Sequence, residues 1–515
     1  METQRDFLCV KAPGTLRYES SGDYTLPDYN TDVKRVLETK VEVVDSGCFV
    51  NGDDIDISGS VSYEVLYLDS DNELASCSFS TDFDTSLKCN GEAMVGCSAV
   101  SRVDGCSVRL VGPRRFSVKA QIATEIKISE RASVTVGGSA FEYGEPEVRT
   151  KNVKVAAAAF SAPVEKEYSE VVTNFEGVIA DDITVLYSAC HPELSVALAD
   201  GGCEVTGKLH LRALIRKEEE IPTLLTADIA VGESIEMDDA SPDMDLSVFC
   251  EVPSLRIFTE ANEDGVTLVA KPTVEYRVCG VKNAVVPILL DAYLTDREVE
   301  NTYTAFSHAE YLGGVKMSEE LTFTPTNKDL SCEPLREIIL ADAKLRVTEA
   351  IPDGFGVKIK GTIRFSGVAC QINEDGTPSF VGIKYDTPFE KNANYTCHIP
   401  TSSRVFCHGD VTSVVGLATA DGAELTVGFS LNISAINSES ISCLSTSVAK
   451  EEKYEDEGVS ITVYYPAKGE TLYDVGRKFH TRPLDIAADN SLAEAVFAED
   501  GGDLSCHGVK RLIIR

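Results

Sequence analysis

The sequence contains no tryptophan and only five methionines. It has sixteen cysteines but no Cys-x-x-Cys pair, so the signatures of zinc ribbons and thioredoxin-type sites are missing. No stretch approaches the roughly 18–20 uninterrupted apolar residues that a membrane helix needs, so membrane insertion is not expected. Residues 1–14 lack the apolar segment of a secretory signal, and the chain is expected to stay in the cytoplasm that makes it. There is no Walker A loop, no Gly-x-Gly-x-x-Gly loop and no nucleophile elbow. Basic residues are scarce: 47 Lys+Arg stand against 83 Asp+Glu, a net charge of −36. Phosphate backbones need a basic face, so neither nucleic acid nor an anionic membrane is an expected partner.

What is present argues for folded, repeated units. Hydrophobic residues make up 43% of the 515, enough to bury cores, so the acidic charge reads as a solvated surface. At about 150 residues per domain the length suggests three or four domains. In a reducing cytoplasm the cysteines read as free, mostly buried thiols.

An internal repeat is the strongest signal. Three alternating runs begin around a glycine: Gly59 with Val61 and Tyr63, Gly207 with Leu209 and Leu211, Gly361 with Ile363 and Phe365. The glycines lie 148 and 154 residues apart. Period-2 alternation marks strands with one face on a core. A second landmark, Asp104-Gly105, Asp264-Gly265 and Asp421-Gly422, reads as a hairpin turn before another alternating run. These periods are longer than those of a solenoid, so each copy is expected to be a domain with its own core. The expected fold is mainly β: three repeated antiparallel β domains followed by a small βααβ domain. The expected boundaries are 1–130, 131–285 and 286–448, with the stretches near 131–180 and 286–335 read as connecting strands. Residues 449–458 form an acidic run expected to be a solvated linker.

Residues 459–515 differ in kind. They hold seven Lys+Arg and eight Asp+Glu, a net of −1. A strand at Ile461-Thr462-Val463-Tyr464-Tyr465 is followed by Leu472, Val475, Gly476 and Phe479 at helical spacing. Thr471 is placed to cap that helix, and Pro483 suits the first turn of a second one. Leu512-Ile513-Ile514 closes the module as a strand.

This tail resembles a LysM domain. The matching residues are Gly469-Glu470-Thr471-Leu472-Tyr473-Asp474-Val475-Gly476-Arg477-Lys478-Phe479, then Asp489-Asn490, then residues 508–514. It departs from the family pattern at Glu470 (usually Asp), Tyr473 (commonly Trp), Gly476 (Ala) and in a spacing one residue longer after Gly508. The repeats resemble SPOCS domains of SipL-like spore coat proteins. The first copy carries the match in Leu26-Pro27-Asp28, Asp32-Val33-Lys34-Arg35-Val36-Leu37, Gly59 through Leu68, and Gly112-Pro113-Arg114-Arg115-Phe116-Ser117-Val118-Lys119-Ala120. SPOCS repeats followed by LysM are the SipL-like architecture. The resemblance implies a structural protein with no enzyme activity and no cofactor. It would act in the mother-cell cytoplasm at the forespore and spore coat surface. The implied partner is the coat-basement ATPase, stage IV sporulation protein A, and peptidoglycan is the alternative.

The resemblance assigns partner or glycan contact to Gly469, Glu470, Thr471, Leu472, Tyr473 and Asn490. The competing reading is that Thr471 caps, Leu472 packs and Asn490 braces backbone. Cys397-His398 and Cys407-His408 have zinc-ligand chemistry, but neighbours on a strand point to opposite faces, so no metal site is expected. Cys506-His507 is a weaker version. The acidic run at 238–245 reads as a solvated loop, because it lacks EF-hand spacing. Arg114, Arg115 and Lys119 are expected to pair with the chain's own carboxylates.

Overall fold

Alternation becomes strand wherever one face is covered, and its failure marks where both faces are covered. The computed structural model describes residues 3–217, 220–372, 377–454, 461–492 and 509–515. In the first unit β1 (Thr3–Thr25), β2 (Val33–Asn51), β3 (Asp54–Asp69), β4 (Leu74–Lys88), β5 (Met94–Gly112) and β6 (Arg115–Val136) form two antiparallel sheets. Their orders are β2-β3-β4 and β1-β6-β5. The sheets enclose one core, with Val61, Tyr63, Phe116 and Ile122 fully buried.

The same plan occurs twice more. The second unit holds β7 (Glu147–Phe160), β8 (Val164–Glu167), β9 (Glu170–Glu176), β10 (Ile183–Ala199), β11 (Gly202–Lys217), β12 (Thr223–Glu236), β13 (Asp245–Ala261) and β14 (Gly265–Tyr293). Its sheets run β10-β11-β12 and β13-β14-β7, with β8 and β9 also on β14. The third holds β15 (Arg297–Phe323), β16 (Leu335–Pro352), β17 (Gly356–Ile372), β18 (Pro378–Asn394), β19 (Arg404–Thr419) and β20 (Gly422–Lys453), in sheets β16-β17-β18 and β15-β20-β19. Each copy is therefore a three-strand meander facing a sheet built from its first, last and penultimate strands. The tail contributes β21 (Thr462–Tyr464), α1 (Leu472–Phe479), α2 (Pro483–Asp489) and β22 (Leu512–Ile514), with β21 and β22 paired antiparallel. The mainly β fold with repeated antiparallel units is thus as the sequence implies.

The landmark glycines sit in the middle of the central strands β3, β11 and β17, where the neighbouring strand comes too close for a side chain. A Cβ at Gly207 would lie 2.1 Å from the Glu193 carbonyl oxygen, and one at Gly361 2.4 Å from that of Arg346. The second landmark holds in two copies. Asp264-Gly265 and Asp421-Gly422 close the β13–β14 and β19–β20 hairpins. In the first copy the expectation is corrected: Asp104-Gly105 lies inside β5, at a register shift between Val103 and Gly105. That turn is made by Pro113 and Arg114 instead, between Gly112 and Arg115. Pro113 cannot donate to a ladder and suits a turn, whereas Asp104 is held by Arg17 at 3.5 Å and Arg346 of the third copy at 3.3 Å.

The stretches read as connecting strands are integral to the copies. β7 and β15 are edge strands that pair with β14 and β20. Beyond the sandwich cores, the ribbons β1/β6, β7/β14 and β15/β20 continue and pack on one another. Val153, Val155, Val286, Ile288 and Cys443 are buried together there, against Phe7, Val134 and Phe306. The acidic run also differs from the expected linker at its start. β20 extends through Lys453, Lys450 meets Glu298 at 2.8 Å, and Lys453 meets Asp296 at 3.2 Å. Paired lysines let a charged segment join a sheet. Residues 455–458 of that run lie outside the described residues, as do Gly508 and Cys506-His507.

The three copies meet at the far ends of their meanders. In β3, alternation gives way to continuous burial from Val65 to Asp69, and β11 and β17 do the same at Leu211–Ile215 and Phe365–Cys370. The second face is covered because equivalent strands of all three copies share one apolar cluster. It contains Leu37, Leu66 and Leu68, then Leu186, Tyr187 and Leu214, then Ile339, Leu340 and Val368. Polar groups line the same junction. The Lys40 Nζ donates to Ser188 O at 3.0 Å, the Tyr187 hydroxyl to Asp342 at 3.0 Å, and the Lys344 Nζ to Val41 O at 3.1 Å. Those bonds join copies one to two, two to three, and three to one.

Glu38 sits in this junction, 4% exposed, accepting from the Ser366 hydroxyl at 2.9 Å while its second oxygen has no partner. Burial lifts its pKa to about 7, and the charge on Asp342 adds to that. A carboxyl raised in the folded state stabilises fully below about pH 4.5. That contribution is lost as pH rises towards 7. Glu38→Gln should therefore be more stable than the wild type at pH 8 by on the order of 1–3 kcal/mol, with most of the gain gone at pH 5. Urea midpoints at the two pH values measure this, and an unchanged difference between them would rule it out.

Candidate functional site: the C-terminal module and its seat

The tail module is organised by its first helix. The Asp474 N–H donates to Thr471 Oγ1 at 3.2 Å, and the Thr471 N–H donates to Asp474 Oδ2 at 3.0 Å. This reciprocal capping box satisfies helix donors that would otherwise be unpaired. One side of α1 builds the module's own core, where Leu472 and Val475 pack with Ile486, Ala487, Leu512 and Ile514. The other side carries Tyr473 and Gly476, and both are buried against the second copy.

That second contact is a built seat. The Tyr473 ring meets Tyr293 edge-on at 5.1 Å between centroids, and the Arg149 guanidinium lies 4.6 Å from the Tyr473 centroid. Arg149 also donates to Thr471 Oγ1 at 2.8 Å and to Asp474 Oδ1 at 2.7 Å, so it reads both halves of the cap. The Tyr293 hydroxyl donates to Thr481 O at 2.8 Å. A Cβ on Gly476 would lie 2.4 Å from that hydroxyl oxygen. Arg477 pairs with Asp291, which is 7% exposed, and Arg482 lies 3.5 Å from Glu147. Tyr454, at the end of β20, stacks on His480 at 3.8 Å. Burial raises the Tyr473 and Tyr293 hydroxyl pKa values, which keeps both neutral. Burial also pushes against ionisation of Asp474, yet Thr471 and Arg149 hold its pKa below the usual value.

The residues singled out from sequence take different places. Gly469 is exposed at φ +86° in the turn before α1. Glu470 accepts from the Tyr464 hydroxyl at 2.9 Å and from the Ala467 N–H at 2.8 Å, fixing that turn. Thr471 is the cap, Leu472 is core, and Tyr473 faces the seat rather than solvent. Asn490 is drawn into backbone: its amide donates to Ile513 O at 2.6 Å and Ile486 O at 2.8 Å, and accepts from the Ile513 N–H at 2.7 Å. It ties α2 to β22. Sequence reasoning missed Arg149, Asp291 and Tyr293. A signal existed in the tail itself: two of its departures from the LysM pattern, Tyr473 and Gly476, are three residues apart, on one helical face.

The remaining candidates are engaged with other partners. Cys397 donates to Leu312 O at 3.2 Å, and the His398 ring packs on Phe355. Burial pushes the Cys407 thiol up to about 12, and His408 pairs with Asp410 at 2.9 Å. In the acidic run, Asp243 lies 3.6 Å from Lys282, and Asp245 accepts from the Tyr311 hydroxyl at 2.8 Å and the Gly314 N–H at 3.0 Å. Arg114, Arg115 and Lys119 meet Asp32, Asp23 and Glu19 at 3.3, 2.5 and 2.8 Å.

With this geometry in place, comparison with known families gives one landmark. Residues 32–111, from the start of β2 to the end of β5, match the family described as SipL, SPOCS domain. The chain carries a SipL-type SPOCS domain. Over that stretch the chain is similar to SipL proteins, and the matched residues supply most of the first sandwich. No curated protein and no solved structure matches the chain. No helix among the described residues is long and apolar enough to cross a membrane.

The seat predicts a specific loss. Arg149→Ala removes two charge-assisted or polar hydrogen bonds and a cation–π contact, worth together on the order of 2 kcal/mol. Amide exchange across residues 472–479 in the full chain should then speed up roughly ten- to a hundredfold. Unchanged exchange there would mean that Arg149 does not hold the module.

Proposed function

We propose that the protein is a non-catalytic structural adaptor of spore coat assembly, working in the mother-cell cytoplasm at the forespore surface. The observation that carries this reading is the SipL-type SPOCS domain at residues 32–111. Its partner is the coat-basement ATPase, stage IV sporulation protein A, docked through the LysM-like module. The rim of that module around Gly469 is exposed. The Glu470 carboxylate fixes the turn from Ala467, while Thr471 and Leu472 anchor it from below. Tyr473 serves this rim indirectly, by holding the module on Arg149 and Tyr293. The large, internally joined body then gives the docking rim a defined position relative to the SPOCS domain. A fixed spacing of that kind raises the avidity of contacts made through several surfaces at once.

Co-precipitation tests the reading. The full chain and a chain ending at Tyr454 would each be offered the ATPase from the same organism and, separately, insoluble peptidoglycan. Retention of the ATPase by the full chain should fall at least tenfold on truncation. Equal retention by both chains would sink docking through the module. Retention by peptidoglycan alone would replace the adaptor with a glycan-binding protein of the cortex or wall.

A further inference from the structure

The described cysteines are all free thiols, and most are what burial makes of them. Cys77 and Cys190 are pushed up to about 12, with nothing charged to activate them that outweighs the cost of burial. One pair is different. Cys48 lies on β2 and Cys97 on β5, the edge strands of the two facing sheets of the first sandwich. Their Sγ atoms are 3.4 Å apart, closer than non-bonded contact alone requires, and both residues are partly exposed.

The surroundings favour a thiolate on one partner and a proton on the other. The Cys97 thiol hydrogen-bonds to Cys48, and this outweighs burial. The Ala99 N–H and the Arg277 guanidinium act in the same direction, and together they lower the Cys48 pKa to about 7. The Cys97 pKa is raised by the same hydrogen bond and by burial. Arg277 is not a loose surface cation. It belongs to β14 of the second copy and donates to Ala99 O at 3.3 Å and to Ser46 O. Ser46 in turn donates its N–H to Glu251 of β13 at 3.2 Å. The register shift between Val44 and Gly47 is what turns Ser46 towards that partner. The thiol pair therefore sits where the first copy is gripped by the second.

We propose that Cys48 and Cys97 form a reversible disulfide, a covalent modification site that staples β2 to β5 within the SPOCS copy. The co-reactant is a small-molecule disulfide. The Cys48 thiolate attacks one of its sulfurs, the S–S bond breaks, and one thiolate leaves. Cys97 gives up its proton to solvent or to that thiolate, and its sulfur then attacks Cys48 Sγ in the mixed disulfide. The second thiolate leaves, so two cysteine thiols are oxidised and one disulfide is reduced to two thiols. Bond formation asks the sulfurs to approach by about 1.4 Å, within reach of side-chain rotation on edge strands.

The test uses the intact chain with oxidised glutathione at pH 7.5, followed by alkylation, proteolysis and mass spectrometry. The expected product is a Cys48–Cys97 linked peptide that disappears on treatment with dithiothreitol. Without oxidant, Cys48 should alkylate roughly tenfold faster than Cys77. In Cys97→Ser, Cys48 should stop at the glutathione mixed disulfide, whereas in Cys48→Ser, Cys97 should be recovered unmodified. Recovery of both cysteines as alkylated thiols from the oxidised wild-type chain would overturn the proposal, as would linkage of Cys48 to a different cysteine. The wild-type result decides even if a variant fails to fold.

Discussion

The shared layer between the three meanders is the contact on which the rest of the molecule depends. Without it, Leu37, Leu66, Leu186, Leu214, Leu340 and Val368 would be exposed on three separate sandwiches. Each such side chain contributes about 1.5–3 kcal/mol when taken from water. The charged groups around them are a poor source of net cohesion, because desolvation offsets most of what buried pairs gain. Apolar burial therefore supplies the attraction, and the polar groups decide which face meets which. Five residues beyond the landmark glycines stand Glu64, Arg212 and Ser366, whose cross-strand partners are Lys40, Ala189 and Asp342. Equivalent positions of one fold have become acid with base, base with small, and hydroxyl with acid. The three copies are no longer interchangeable at their junction, which fixes their order around it.

That fixed order places the ribbons β1/β6, β7/β14 and β15/β20 side by side, and their packing creates the surface on which the tail rests. Arg149 and Tyr293 come from paired strands of one ribbon, while Tyr454 follows the end of another. The module is nearly neutral and brings Arg477 and Arg482 to carboxylates at Asp291 and Glu147. An acidic body and a tail with basic side chains on one side thus meet in a complementary way. The helix cap and the seat are coupled, since Arg149 bonds both Thr471 and Asp474. Anything that frays the start of α1 also loosens the module from the body.

Much of the fold was legible because it rests on local chemistry. The landmark glycines mark central strands since a backbone carbonyl at Gly207 and Gly361, and the Phe83 ring at Gly59, exclude a side chain there. The strand-helix-helix-strand order of the tail was readable from helical spacing, a capping threonine and a first-turn proline. The first copy's turn was misplaced because Asp-Gly serves a register shift as readily as a hairpin, and the nearby Gly112-Pro113-Arg114 makes the turn instead. The stretches at 131–180 and 286–335 read as connections because alternation shows a strand without showing its partner. Asn490 and Thr471 have the backbone roles that their residue types favour. The destination of Tyr473 was hidden, because Arg149 and Tyr293 lie more than 170 residues away in the chain.

The sequence by itself determined the period of the repeat, the two-sided character of its strands, the acidic surface and the plan of the tail. Those follow from side-chain periodicity and backbone preference, which act over a few residues. Only the tertiary structure decided that the three copies close on a common apolar layer, that their edge ribbons form a bundle, and that Tyr473 is packed inside the molecule. It also decided that Cys48 and Cys97 face each other across a sandwich edge beside Arg277. Such pairings depend on which strands lie opposite one another, and periodicity carries no information about partners distant in the chain.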